Sequence, residues 1–169
     1  SLPEMLRGEI RLCRSTLLAR QEREINYGFG WSSPATCYSI AHAHLALHRA
    51  MERAGYLKPI RTKGDLESHL KLCEKDLSLT PLGFIQTMEG ADPLLTPDTI
   101  DEFYEHGLRA IGLTHYGPNR YGGGTNSEVG LAIDAIPLLK RIGELGMTVD
   151  VTHLSDVAFW QVLDRFDGR

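Results

Sequence analysis

Apolar and polar residues alternate through 147–152, within the stretch GMTVDVTHLSD. Alternation with a period of two, in a run rich in β-branched residues, predicts a strand that begins after Gly146 and ends at His153. Ser155 then precedes an apolar run with helical spacing, so we predict a helix with Ser155 as its N-cap. The pattern places His153 at the carboxyl end of a strand, where it either binds a ligand or only forms a hydrogen bond.

Further strands and helices are predicted from the same two periodicities. Strands are expected at 9–15, 82–88 and 108–114, and the last two lead directly into Glu89 and His115. Strands that alternate with helices are typical of the α/β class with a parallel sheet. The helices are predicted at 35–54, which stops before Gly55, at 64–75, from Pro97 to about Gly107, and at 131–145, where Pro137 is expected to cause a kink.

Three consecutive predicted strands therefore end on Glu89, His115 and His153. In a parallel barrel the carboxyl ends of all strands point to one face, so these side chains are expected to meet there. A mixed set of imidazole and carboxylate ligands suits Zn²⁺, which lowers the pKa of a bound water towards about 7 and polarises a carbonyl group. We predict a shared metal site.

His42 and His44 spell a second metal-like motif, HxH, inside the predicted helix 35–54. On a helix, residues i and i+2 point in different directions and cannot share one ion. His44 and His48 have the i, i+4 spacing that could, but no carboxylate base lies between them as in HExxH. We predict structural roles, at the surface or partly buried, for all three histidines.

The loop after His115, YGPNRYGGGTNSE, is rich in glycine and asparagine and long enough to line a site. Asn119 and Tyr121 are its predicted substrate-binding side chains, together with His115. Asp150 either orients a metal ligand or pairs with a neighbouring lysine or arginine.

An aromatic segment, NYGFGWSSP, follows the first predicted strand. Tyr27, Phe29 and Trp31 either contact a substrate or a partner chain or, as is commoner, pack the loop onto its own domain.

The net charge of −4 without a basic stripe argues against a nucleic-acid partner and favours a small polar or zwitterionic one. No apolar run approaches the ~20 residues of a membrane span, and the start of the sequence lacks a signal-peptide core. Cys13, Cys37 and Cys73 are widely spaced, which favours buried free thiols in a reducing compartment. The expected location is the cytoplasm.

Three segments carry a family resemblance: MEGADPL around Glu89, LRAIGLTHYGPN through His115, and LGMTVDVTHLSDVAFWQVL through His153. From about Gly8 onward the chain resembles the membrane (renal) dipeptidase family of zinc peptidases, in the amidohydrolase superfamily. The resemblance implies a (β/α)8 barrel and two zinc ions that hold a hydroxide, which attacks the peptide carbonyl of a dipeptide. It implies that Glu89 bridges both ions, that His153 binds one of them, and that His115 is catalytic, contacting the substrate and stabilising the oxyanion.

Four predicted strands are fewer than the eight, over about 250 residues, that close such a barrel. We therefore predict that residues 1–169 form a partial barrel from the middle of a larger protein. The family's His-x-Asp pair is expected before Ser1, and its further His, Arg and Asp after Arg169. The alternatives are a related amidohydrolase-type barrel that acts on another small substrate and a non-catalytic scaffold that has lost the remaining ligands. A homodimer would cover the exposed apolar edge.

Overall fold

The protein is described here by a computed structural model covering residues 1–22, 30–77 and 80–168. Its helices and strands alternate along most of the chain, as predicted for the α/β class. The strands are β1 (Leu12–Leu17), β2 (Leu57–Pro59), β3 (Leu82–Glu89), β4 (Leu108–Gly112) and β5 (Thr148–Asp150). The helices are α1 (Leu2–Arg7), α2 (Pro34–Arg53), α3 (Lys63–Lys75), α4 (Ile100–Glu105), α5 (Ala135–Glu144) and α6 (Asp156–Arg165), and a 3-10 turn (Pro97–Thr99) precedes α4.

All the strand pairs of the sheet are parallel, and β3 lies at its centre. Strand β1 pairs with one edge of β3 along its whole length. On the other edge, β2 pairs with the first half of β3 and β4 with the second half, and β5 then pairs with β4. Because every strand runs in the same direction, all their carboxyl ends lie at one edge of the sheet.

The hydrophobic core lies between the sheet and the helices that connect its strands. Leu138, Leu139 and Ile142 form the buried face of α5 and belong to the same buried cluster as Ile111 and Met147. Strand β3 is buried at six of its eight positions, which reflects a central strand covered on both faces. This packing fixes the height of each strand, and so the level at which its last residues leave the sheet.

The helix boundaries follow the capping signals in the sequence. The Ser33 side chain accepts a hydrogen bond from the backbone N–H of Thr36 at the start of α2. Gly55, with φ of +79°, follows the end of that helix in the left-handed conformation that glycine adopts at least cost. Ser155 caps α6 through the N–H of Ala158, which confirms the predicted N-cap.

The elements differ from the predictions at several places, and β4 and β5 are each shorter than the predicted strands. The first strand is Leu12–Leu17 rather than 9–15, because a short helix and a left-handed residue, Glu9 with φ of +60°, precede it. Strand β2 was not predicted, since three residues are too few to show alternation. The predicted helix 131–145 begins only at Ala135, so Pro137 lies in the first turn of α5 rather than inside the helix. A backbone N–H has no helical acceptor in the first turn, so the proline gives no reason for a kink there.

Cys13, Cys37 and Cys73 are free thiols. Burial was predicted for all three, but only Cys37 is fully buried, and Cys13 and Cys73 are partly exposed. Burial raises the pKa of the Cys37 thiol to about 12, so it stays protonated at neutral pH. Tyr27 and Phe29 lie outside the described residues, and Trp31 is 40% exposed. Within the described part of the chain, no helix has both the length and the apolar character required to cross a bilayer.

Candidate metal site at the carboxyl ends of the strands

The sheet register brings three strand ends to a common level. Glu89 is the last residue of β3 and lies beside Gly112 of β4, which in turn lies beside Asp150 of β5. His115 and His153 each follow these partners by three residues, so both histidines leave the sheet at the same height. The side chains that follow these neighbouring parallel strands therefore meet at one edge of the sheet, as the sequence predicted.

The side chains of Glu89, His115 and His153 are in direct contact. The Oε1 atom of Glu89 lies 3.1 Å from His153 Nε2 and 3.5 Å from His115 Nε2. The two imidazole rings are 4.7 Å apart between centroids, and the three candidate ligand atoms all lie within 4.8 Å of one another. Ligands about 2.0–2.2 Å from a tetrahedral zinc ion are about 3.3 Å apart, so the donor set and its spacing fit this metal.

Burial determines the charge state of His115. Its desolvation lowers the pKa of the imidazole below its ordinary value; Glu89 opposes this shift, while His153 and Arg20 add to it. The neutral imidazole is the form that binds a metal ion or donates a hydrogen bond without carrying charge. The Nδ1 atom of His115 is shielded from solvent and has no hydrogen-bond partner among the described residues.

His153 is held by its own backbone as much as by its side chain. Its φ of +67° is left-handed, a conformation that costs a non-glycine residue about 1–2 kcal/mol. The Thr114 and Thr125 hydroxyls donate to the His153 carbonyl at 3.2 and 3.3 Å, and Thr125 Oγ1 also lies 3.5 Å from His153 Nδ1. These contacts fix the ring where the strand turns towards α6.

Gly90 is required directly after Glu89. Its φ is +86°, and a Cβ atom there would lie 3.2 Å from the Cβ of His115 and 3.3 Å from a carboxylate oxygen of Asp92. A larger residue would be strained and would displace His115 from its position beside Glu89. The MEG sequence therefore couples the acidic residue to a turn that only glycine makes easily.

Tyr116 borders this site, although it was not among the predicted site residues. Its ring lies 4.8 Å from that of His115 and 4.7 Å from that of His153, and the side chain is about half exposed. Its backbone is also left-handed, with φ of +60°. The sequence feature that could have indicated Tyr116 is its position directly after His115, because a residue there borders the same edge of the sheet.

Asn119 and Tyr121 have structural positions that do not match the predicted substrate contacts. The Asn119 amide donates to Asp92 at 3.1 Å and to the Leu113 carbonyl at 2.8 Å, while its oxygen accepts the Tyr121 N–H at 2.8 Å. Tyr121 is fully buried, and its hydroxyl donates to the Leu94 carbonyl. Desolvation raises the pKa of Tyr121 to about 12. Both side chains hold the loop in place through these hydrogen bonds, because the buried polar groups of a long loop need hydrogen-bond partners within the protein.

Asp150 forms an ion pair rather than a contact with a histidine. Arg14 Nη2 lies 2.5 Å from its carboxylate, and the Thr152 backbone N–H donates to the other oxygen at 3.0 Å. Partial burial raises the pKa of Asp150, but the hydrogen bonds from Thr152 and Arg14 outweigh it and hold this pKa below its ordinary value. Of the two alternatives for Asp150, the structure matches the pairing with a neighbouring arginine.

A cavity of about 310 Å³ opens beside Glu89, at the same edge of the sheet. This volume lies at the lower end of the range for small-molecule sites. A larger cavity of about 660 Å³ shares Arg14, Thr87 and Asp150 with the smaller one but touches none of the three candidate ligands. The smaller cavity is the one relevant to chemistry, because Glu89 lines it. Its lining includes Arg14, Thr16, Thr87, Glu89, Thr114 and Thr152.

The chain matches a family model described as membrane dipeptidase, peptidase family M19, over residues 21–165. It belongs to the membrane dipeptidase family. Two curated relatives are similar to this member of the family. An uncharacterized protein in the PQQ-III 3' region of Acinetobacter calcoaceticus is 38% identical over 92 residues, 49% of this chain and 29% of the relative. Another, in the pqqA 5' region of Klebsiella pneumoniae, is 30% identical over 139 residues, 76% of this chain and 49% of the relative.

A solved structure shares the fold of this membrane dipeptidase family chain. The metallopeptidase of Rhodobacter sphaeroides, liganded with a phosphinate mimic of the dipeptide L-Ala-D-Ala, superposes with a TM-score of 0.81 at 22% identity. The match covers 99% of this chain and 53% of that one, so the chain spans about half the length of the protein it resembles. The prediction of an α/β chain that forms part of a (β/α)8 barrel is confirmed.

Proposed function

We propose that the protein containing this chain is a zinc-dependent dipeptidase and that Glu89 and His153 hold metal. The proposal rests on one observation: in a chain of this family, Glu89, His115 and His153 converge from three strand ends to within 4.8 Å. A bound zinc ion would supply a Lewis acid that acidifies water and polarises a peptide carbonyl.

The two proposed ligands have complementary geometry. Their closest atoms, Glu89 Oε1 and His153 Nε2, are 3.1 Å apart. A His153 tautomer with its proton on Nδ1 satisfies Thr125 and leaves the Nε2 lone pair free for a metal ion. Glu89 is 37% exposed and has two carboxylate oxygens, so it has the capacity to bridge two ions.

His115 is proposed to act on the substrate rather than on the metal. A neutral imidazole donates one hydrogen bond, and such a donor stabilises the negative charge that develops on the carbonyl oxygen during hydrolysis. The lowered pKa of His115 keeps the ring neutral at neutral pH. His115 Nε2 also lies 3.5 Å from Glu89 Oε1, close enough for both atoms to bind the same metal ion. The experiment must therefore distinguish two roles for His115: oxyanion donor and third metal ligand.

A dipeptide is the substrate class that we infer for this site. The structural relative from Rhodobacter sphaeroides was solved with a dipeptide mimic, and the cavity of about 310 Å³ beside Glu89 is of a size suited to a ligand that small. A dipeptidase must recognise the free amino and carboxyl ends of its substrate together. A hydrolase for another small carbonyl compound has no such requirement.

The test uses the complete protein, a dipeptide, and the same dipeptide with its amino end acetylated or its carboxyl end amidated. We expect hydrolysis of the free dipeptide alone, its loss on chelation, and recovery on addition of zinc. Equal hydrolysis of all three compounds would reject the dipeptidase assignment. Activity that persists after complete removal of metal would reject the metal site.

A matched pair of substitutions then separates the proposed roles of the histidines. His153→Ala is expected to lower both the zinc content and kcat. His115→Ala is expected to keep the zinc content and lower kcat by about 100-fold, the typical cost of one oxyanion donor. Loss of zinc from His115→Ala would instead make His115 a ligand.

A further inference from the structure

A second cluster of one glutamate and two histidines lies where α2 contacts α4. His42 lies on α2, Glu102 on α4, and His106 is the C-cap residue of α4. Glu102 and His106 have the i, i+4 spacing that places two side chains on the same face of a helix. We refer to His42, Glu102 and His106 as the interhelix cluster.

The distances within the interhelix cluster are those of a potential coordination site. Glu102 Oε1 lies 3.2 Å from His42 Nε2 and 4.0 Å from His106 Nε2. The three candidate ligand atoms all lie within 4.8 Å of one another. The two imidazole rings are nearly perpendicular, at 89°, with centroids 5.8 Å apart, so they approach the carboxylate from different directions.

One of the three candidate ligand atoms, His42 Nε2, is buried without a hydrogen bond among the described residues. This holds although the carboxylate of Glu102 lies 3.2 Å away. The ring is positioned by aromatic neighbours, with centroid distances of 4.3 Å to Tyr38 and 5.1 Å to Phe103. A shielded nitrogen without a hydrogen bond is costly unless something else binds it.

The carboxylate of the cluster is already oriented. The Tyr38 hydroxyl lies 2.9 Å from both oxygens of Glu102 and donates to this carboxylate. A hydrogen bond from outside the ligand set fixes the direction of the carboxylate, as neighbours of metal ligands commonly do. Tyr38 therefore acts as a positioning residue for Glu102.

Arg49 lies near His106 and is a charged neighbour of the interhelix cluster. Its guanidinium repels a cation and is expected to limit the affinity of the site.

The interhelix cluster and the candidate active site lie at opposite ends of β4. His106 precedes Leu108, the first residue of this strand, whereas His115 follows its carboxyl end. The two clusters share no residue. An ion in one would leave the ligands of the other unchanged.

We propose that His42, Glu102 and His106 bind one divalent transition-metal ion of the zinc type and that the ion fastens α2 to α4. Two imidazoles and one carboxylate are a borderline donor set that zinc accepts, with the fourth position left to water. Glu102 is 41% exposed, so solvent reaches the site. Because the ligands come from two helices, binding stabilises the folded state.

The experiment measures zinc binding to the complete protein in a Glu89→Gln, His153→Ala background, which removes the two active-site ligands proposed within residues 1–169. One equivalent of zinc is expected to bind, and Co²⁺ in its place should give the absorption of a tetrahedral ion. At a zinc concentration about 100 times Kd, Tm should rise by about 5 °C. Glu102→Gln or His106→Ala in this background should abolish all three effects.

His44→Ala is the matched control, because His44 lies on the same helix outside the cluster. It should retain the zinc equivalent and the shift in Tm. Glu102→Gln keeps an acceptor for Tyr38 and is expected to fold, which circular dichroism would verify. If the background protein binds no zinc, or if either Glu102→Gln or His106→Ala leaves its zinc binding unchanged, the proposal is overturned.

Discussion

Among the described residues, two groups each combine one glutamate with two histidines, and they are built in opposite ways. Glu89, His115 and His153 come from three strand ends that lie far apart in sequence. The interhelix cluster takes two residues from one helical turn and the third from a facing helix. Similar donor atoms thus arise from sheet register in one case and from helix packing in the other.

The backbones differ as well. His153 and Tyr116 are both left-handed at the sheet edge, whereas His106 has φ of −79°, near the helical region. Strained backbone conformations persist only where surrounding contacts enforce them, and they concentrate at functional sites. The strand-end site therefore holds its side chains in place with strained backbone conformations, whereas the interhelix cluster needs only ordinary helix geometry.

The largest expected difference between the two sites is catalytic. Glu89→Gln should lower kcat/KM for dipeptide hydrolysis by at least about 100-fold, because a neutral amide loses the charge that binds metal and organises the reaction. Glu102→Gln, the same change at the interhelix cluster, should leave kcat/KM within about two-fold. Comparable losses in the two variants would show that the clusters are functionally coupled.

The next difference concerns the groups that support each site. Asn119→Ala removes an amide that bonds the buried Asp92 and the Leu113 carbonyl, so we expect a loss of about 2 kcal/mol in the free energy of unfolding. Tyr38→Phe removes a hydrogen bond to the partly exposed Glu102 and should cost less than ~1 kcal/mol. Urea denaturation measures both. Equal losses of unfolding free energy would contradict the expectation that the hydrogen bonds of Asn119 matter more to stability than that of Tyr38.

Backbone strain gives a third, smaller effect. At position 153, glycine should be more stable than alanine by about 1 kcal/mol, since only glycine adopts φ of +67° without cost. At position 106 the order should reverse, with alanine more stable by about 0.5–1 kcal/mol. The four variants are compared by denaturation without metal. The same order at both positions would mean that His153 is not strained in solution.

The smallest effect is a dependence on pH that the two sites share. Burial lowers the pKa values of His106 and His115, so the unfolded chain takes up protons first as the pH falls. The contribution of both residues to stability is complete above about pH 6.5 and declines as the pH drops below it. Proton NMR of the metal-free protein should give titration midpoints below 6.5 for both imidazoles. A midpoint above 6.5 for either would contradict its burial in a neutral form.

The meeting of Glu89, His115 and His153 could be predicted from the sequence, whereas their roles stay predictions. Periodicity locates the strands, and parallel topology requires their carboxyl ends to meet. The position of the Tyr121 side chain could not be predicted in the same way: its hydroxyl donates to the Leu94 carbonyl inside the core. A hydroxyl in a loop carries no sequence signal of whether its partner is a ligand or a backbone carbonyl.

The interhelix cluster shows the same limit from the other side. Of the two histidines in the HxH motif, only His42 lies in the interhelix cluster, because residues i and i+2 of a helix point in different directions. The metal role proposed for His42 differs from the structural role predicted for it. The partners of His42 lie 60 and 64 residues away on another helix. No local pattern encodes that distance, because the packing of α2 against α4 decides it.

The sequence alone determined the order of most strands and helices, the end of α2 before Gly55, the capping of α6 by Ser155, and the placing of Glu89, His115 and His153 at or just after the carboxyl ends of β3, β4 and β5. These depend on local chemistry: periodic burial, side-chain caps and the backbone freedom of glycine. Only the tertiary structure decided the contacts of Tyr116, the inward turn of Tyr121 and the meeting of His42 with Glu102. Such contacts depend on how whole elements pack, and the free energy of packing is summed over many distant residues at once.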